Sequence, residues 1–100
     1  MDDYKNAILI NINDNVATVL DTIKKNDKVN VMFNNQNIKK IIALDDIDLY
    51  HKIAIKDINK GNEIIKYGEV IGKAVDNIMA GQLAHVSNIE SVRVRLKLKV

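Results

Sequence analysis

Apolar and polar positions along this chain fall into short blocks that mark its elements. Over residues 4–12 they partly alternate, with Ile8, Ile10 and Ile12 on one face, which is the period of a strand. Asn13-Asp14 ends that run. Val16, Val19, Leu20 and Ile23 then follow the i, i+3, i+4, i+7 spacing of a helix. Asp14 is placed to cap its N-terminus, and the cations of 24–28 sit near the negative end of its dipole. Val29, Val31 and Phe33 alternate again, Asn34-Asn35-Gln36-Asn37 predicts a turn, and residues 38–44 complete a hairpin. A polar link, Asp45-Asp46-Ile47-Asp48, leads to a further strand over 50–55.

The next stretch holds every glycine of the chain, Gly61, Gly68, Gly72 and Gly81. It also holds a repeat twenty positions apart: Ala54-x-x-x-Ile58-x-x-Gly61 recurs as Ala74-x-x-x-Ile78-x-x-Gly81. Each unit reads as a strand, one helical turn (57–60 and 76–80), a glycine able to take positive φ, and a strand leading out. Neither is large enough to stand alone, so the two are expected to pack against each other.

In the tail, 92–100, valine and leucine alternate with arginine and lysine without a slip, which predicts a final strand with one basic face. The sum is a mainly β domain of short strands with one helix near the N-terminus. One hundred residues make a single domain, 1–100.

Composition narrows the function classes. The chain is 47% hydrophobic and 28% charged, within the range of ordinary globular proteins. Sixteen isoleucines and thirteen asparagines, with no proline, carry no mechanism by themselves. A net charge of +2 is too small to imply a polyanionic partner, and no aromatic interleaves the basic tail, so nucleic-acid binding is not expected. Absence of cysteine excludes a disulfide scaffold, thiolate metal sites and a cysteine nucleophile. With no segment of transmembrane length and an acidic start, the expectation is a cytoplasmic protein without a membrane partner.

Three segments in order carry a resemblance. They are His51-Lys52-Ile53-Ala54-Ile55-Lys56-Asp57-Ile58-x-x-Gly61, then Ile65-Lys66-Tyr67-Gly68-Glu69-x-Ile71-Gly72-x-Ala74, then Ile78-x-x-Gly81-x-x-x-His85-Val86-x-Asn88. Together with Asp14-Asn15-Val16-Ala17 upstream, they resemble the N-terminal SAF domain of altronate and galactarate dehydratases, over roughly residues 7–91. The same domain occurs as a free small subunit, as in sulfolactate sulfo-lyase. The resemblance implies a β-clip fold and a much larger catalytic partner subunit. It also implies loss of water from a sugar acid to give a 2-keto-3-deoxy acid. A divalent metal, iron or manganese, would be held mostly by that partner. Self-association into a homo-oligomer is left open.

Two positions depart from the family pattern. Its His-x-His-Asn ending reads His85-Val86-Ser87-Asn88, and the glycine before His-Lys is Tyr50. A hydroxyl cannot replace imidazole as a base near neutral pH or as a nitrogen ligand.

The resemblance nominates site residues, each with a plainer alternative. His51 and Lys52 become acid/base and carboxylate clamp, against an exposed loop histidine beside a surface lysine. His85 becomes a metal ligand with Asn88 as a substrate contact, against a histidine closing a turn; two histidines alone do not make a metal site. Asp14 and Asn15 become substrate contacts, against the helix cap already described. Tyr67-Gly68 and Gly72 read as bends of the fold. The leading expectation is therefore a hydro-lyase subunit. The rivals are a sulfolactate sulfo-lyase small subunit, a sugar-acid binding module that works alone, and a paralogue that lost activity with Ser87.

Overall fold

The structure is a computed structural model and describes residues 4–85 and 88–91. Among the described residues nine strands occur in chain order: β1 Lys5–Ile8, β2 Val16–Val19, β3 Lys28–Phe33, β4 Gln36–Ile42, β5 Lys52–Ala54, β6 Glu63–Lys66, β7 Glu69–Ala74, β8 Leu83–Ala84 and β9 Ile89–Ser91. A six-stranded sheet has the order β4-β3-β1-β2-β5-β8, and a three-stranded sheet has the order β6-β7-β9. β1 and β3 pair in parallel and every other strand pair is antiparallel. No helix occurs among the described residues, so none there crosses a membrane. The tail at 92–100 lies outside the described residues.

The mainly β expectation holds, and the helix does not. Residues 16–19 form β2, flanked by β1 through Ala7↔Val19 and by β5 through Val16↔Ala54. β2 also packs on both faces, because a separate cluster of apolar side chains covers each. Val16 joins a core with Ala54, Ile58, Ile64, Ala74, Ile78 and Ala84, while Ala17 and Val19 join another with Ala7, Leu9, Val29, Val31 and Ile53. A strand buried on both sides loses its alternation, and the remaining apolar positions mimic a helical stripe. Leu20, which the stripe would bury, is exposed.

Along β1 and the residues after it the two faces separate cleanly. Ala7 and Leu9 are buried, whereas Ile8, Ile10 and Ile12 are exposed. The inner positions join the core with Ala17, Val19, Val29 and Val31. The β3–β4 hairpin forms where expected, with positive φ at Asn34 and Asn35 as a primed two-residue turn requires.

The repeat is real and runs further than its glycines reveal. Ile58 and Ile78 form an antiparallel bridge, and Ile23 and Ile47 form a second of the same kind. Four units result, 19–26, 43–50, 54–61 and 74–81, paired first with second and third with fourth. In each, the eighth residue has positive φ: Asn26 (79°), Tyr50 (69°), Gly61 (88°) and Gly81 (97°). Its N–H donates to the carbonyl of the first residue of the partner unit: Asn26 to Ala43, Tyr50 to Val19, Gly61 to Ala74 and Gly81 to Ala54, at 2.8–3.0 Å. Fourth-position side chains add a crossing bond in three units. Asp46, Asp57 and Asn77 accept from the N–H of Lys25, Ala80 and Lys60. The segments 57–60 and 76–80 are thus bridged turns, not helical ones. Tyr50 is the same left-handed corner that Gly61 and Gly81 make, a conformation that glycine adopts without steric cost.

Candidate functional site

His51, Lys52 and Ile53 are the only residues between the second and third units, so the site lies at the seam of the two paired halves. The backbone of His51 is held on both sides: its N–H donates to Asp48 O (3.0 Å) and its carbonyl accepts from Val19 N (2.9 Å). β5 then pairs with β8 through Lys52↔Ala84 and Ile53↔Leu83. That register brings His85, just past β8, opposite His51. The two exposed rings lie 6.0 Å apart between centroids, tilted by 44°. Residues 34 positions apart in sequence become neighbours through one antiparallel pairing.

Asn88 fixes the second histidine. Its Oδ1 accepts from the His85 N–H (2.8 Å) and its Nδ2 donates to Leu83 O (2.7 Å), closing the chain after β8. Asp45 supports the same edge by accepting from Leu83 N (2.8 Å). Ser87 lies outside the described residues.

Lys52 points to the opposite side of β5 from the histidines. Burial pushes its ammonium pKa down from the usual lysine value, and the nearby charge of Lys66 pushes in the same direction. At a given pH it carries its proton less firmly than a surface lysine.

Asp14 and Asn15 are buried, at 1% and 7% exposure, and both are spent on backbone. The Asp14 carboxylate accepts from the N–H groups of Asn11 (3.1 Å), Tyr67 (2.9 Å) and Gly68 (2.7 Å). It therefore pins the β6–β7 turn, and its role as a helix cap disappears with the helix. Asn15 acts as a piece of strand: Nδ2 donates to Glu63 O and Oδ1 accepts from Ile65 N, both at 2.8 Å. These two residues dock the β6–β7 arm onto β2. Their side-chain hydrogen bonds go to residues 11 and 63–68, not to the histidines.

Thr18 and Lys66 are two further polar residues of the strands around Lys52 and the β6–β7 arm. Thr18 pairs with Lys52 across β2 and β5, and its hydroxyl oxygen is buried with no hydrogen-bond partner. A single threonine in an apolar run gives no sequence signal of this, whereas Lys66 sits inside the Ile65-Lys66-Tyr67-Gly68 motif. A cleft lined by Asn15, Lys56, Asp57, Gly61, Asn62 and Glu63 includes neither histidine.

The histidine pair offers two nitrogen ligands. Among the described residues no group of three or more His, Cys, Asp or Glu side chains converges on a metal position. The donor set fits a divalent ion only in part, and further ligands have to come from elsewhere.

Residues 5–92 match the model of the altronate/galactarate dehydratase SAF domain. The altronate dehydratase of Bacillus subtilis (strain 168) is 34% identical over 87 residues, 87% of this chain and 16% of that protein. That of Escherichia coli (strain K12) is 38% identical over 81 residues, 81% of this chain and 15% of that protein. The (2R)-sulfolactate sulfo-lyase subunit alpha of Paracoccus pantotrophus is 37% identical over 54 residues, 54% of this chain and 81% of that subunit. The chain thus spans about a sixth of the length of the altronate dehydratases it matches. A match over 5–92 takes in nearly all of the sequence, including the clamp at Asp14-Asn15 and both histidines, and on it the chain belongs to the altronate/galactarate dehydratase SAF domain family.

Proposed function

We propose that this chain is the SAF subunit of a lyase that removes water from a sugar acid of the altronate or galactarate type, in concert with a larger catalytic chain. The supporting observation is the His51–His85 pair, brought to 6.0 Å by the β5–β8 register in a chain of this family. Forming a 2-keto-3-deoxy acid requires a base for the proton α to the carboxylate, stabilisation of the enolate-like intermediate, and an acid for the departing hydroxyl. His51 serves as acid/base or substrate contact, with its backbone held on both sides so that the ring has a fixed origin. His85 is a ligand to a divalent ion, positioned by Asn88, and the partner chain supplies the remaining ligands. Such an ion, iron or manganese, would stabilise negative charge on the substrate oxygens. Asp14 and Asn15 hold the arm that completes the surroundings.

A second reading is favoured by one observation: the match to the Paracoccus subunit covers 81% of that chain, so a subunit built largely of this domain exists among the relatives. In that reading the leaving group is a sulfonate, and the acid is sulfolactate.

Reconstitution separates the readings. The chain is mixed with a large dehydratase subunit and a divalent metal, and offered altronate, galactarate or sulfolactate. Release of a 2-keto-3-deoxy acid supports the first reading and release of sulfite the second. Calorimetric binding of a sugar acid to the chain alone, with no turnover in any mixture, would support a binding module instead.

A further inference from the structure

The corners that close the third and fourth units share a backbone geometry and differ in what lies against them. At Gly81 the corner receives extended backbone of the chain itself, the end of β4 and the residues after it. The Leu44 N–H donates to the Gly81 carbonyl (2.8 Å), and the Ile42 carbonyl lies so close to the bare glycine that a Cβ would collide with it. Gly61 makes the same left-handed corner, with φ 88° against 97°. A Cβ there meets nothing within 4 Å, and among the described residues no group donates to the Gly61 carbonyl. Gly61 also forms part of the wall of the cleft already described, whose volume is about 420 Å³. That size suits a small ligand or a short stretch of chain.

The lining narrows the class of ligand. Ile58 and Ile65 give the cleft an apolar strip, and Asn15 and Asp57 are fixed by bonds to backbone at 63, 65 and 80. One ammonium, Lys56, stands against two carboxylates, Asp57 and Glu63, which disfavours an anion such as a sugar acid. No three metal-ligating side chains converge among the described residues, which disfavours a metal ion. A neutral or basic ligand with an N–H donor beside a carbonyl oxygen is left, and backbone has both.

We infer that this cleft binds an extended, neutral or basic segment of a partner chain, laid on Gly61 as residues 42–44 lie on Gly81. An N–H of the segment donates to the Gly61 carbonyl, and a neighbouring carbonyl sits on the bare face of the glycine. Main-chain bonds of this kind carry much of the recognition of extended peptides. The cleft includes neither histidine, so the inference goes beyond the proposed reaction and does not depend on it.

The test titrates the blocked tripeptide acetyl-Ile-Ala-Leu-amide, the sequence of residues 42–44, into the isotope-labelled chain and follows the amide signals by NMR. The titration runs to about 10 mM, well past the dissociation constant of about 1 mM that so few contacts support. Expected are saturable shifts at 56–63, with those of His51 and His85 unmoved. The ester analogue, in which oxygen replaces the leucine N–H, should bind about fivefold more weakly for want of one hydrogen bond. Gly61→Asn should weaken binding about tenfold or more by filling the open face. Its fold should persist, because Asn26 makes the same corner in the first unit, with φ 79°. The ester comparison uses the unchanged chain and decides the matter even if that variant does not fold. Absence of saturable shifts at 56–63, or equal affinity of amide and ester, overturns the inference. So does galactarate moving these signals where the peptide does not.

Discussion

Ile58 and Ile78 exchange both of their backbone hydrogen bonds, each N–H donating to the other's carbonyl at 2.7 and 2.8 Å, and each is almost fully buried. About this contact the third and fourth units are related as near equals, yet their closing glycines stand in different surroundings. A Cβ at Gly61 meets nothing within 4 Å, whereas one at Gly81 comes within 2.2 Å of the Ile42 carbonyl oxygen. Gly61→Ala should therefore cost only the left-handed backbone penalty, about 1–2 kcal/mol. Gly81→Ala should add the clash and cost about 3 kcal/mol or more. Urea unfolding of the two variants checks the order, and equal costs would show that the close approach is not felt.

Asp14 accepts three backbone hydrogen bonds while 1% exposed. Asp14→Ala should cost about 3–5 kcal/mol, because charge-assisted bonds are lost and the N–H groups of Tyr67 and Gly68 are stranded. Hydrogen exchange should show those two amides losing protection before β1 or β3 does. Retention of their protection would mean that the arm docks without the clamp.

Lys52 sets a pH dependence with a definite sign. Its pKa in the folded chain is lowered from 10.5, first by burial and then by Lys66. Below the folded value the charged form is present in both states and folding bears the cost of burying it. Between that value and 10.5 the unfolded chain binds more protons, so stability from this group rises with pH. Lys52→Met should thus be more stable near pH 7, by under about 1 kcal/mol given the solvent screening of a half-exposed group. The difference between the two proteins should shrink towards pH 10.5. A pH-independent difference would contradict the burial account.

Much of the fold was legible in local pattern, and the misreadings have one cause. The β3–β4 hairpin is signalled by Asn34-Asn35 between alternating runs, and the packing of 54–61 on 74–81 by their shared spacing. Val16 to Ile23 misled because β2 is buried on both faces, which erases the alternation that identifies a strand. The first two units escaped notice because Asn26 and Tyr50, not glycine, make their left-handed corners. At the site, His51 and His85 were flagged through motif order, but only the Lys52↔Ala84 register shows that they meet. Asp14 and Asn15 were flagged too, yet their partners at 63–68 lie about fifty residues away, beyond any local signal.

The histidine pair is the centre of the functional account, and its neighbours make the contrast clean. Both rings are exposed, so His51→Ala and His85→Ala should leave stability near the wild-type value, within about 0.5 kcal/mol. The direct measurement is the turnover of the His51→Ala, His85→Ala double variant reconstituted with a large dehydratase subunit, metal and the sugar acid on which the wild-type mixture is active. A fall of a hundredfold or more, about the scale of losing one acid/base group, is the predicted result. Turnover equal to that of the wild-type mixture, with the variant folded and bound to its partner, would contradict it.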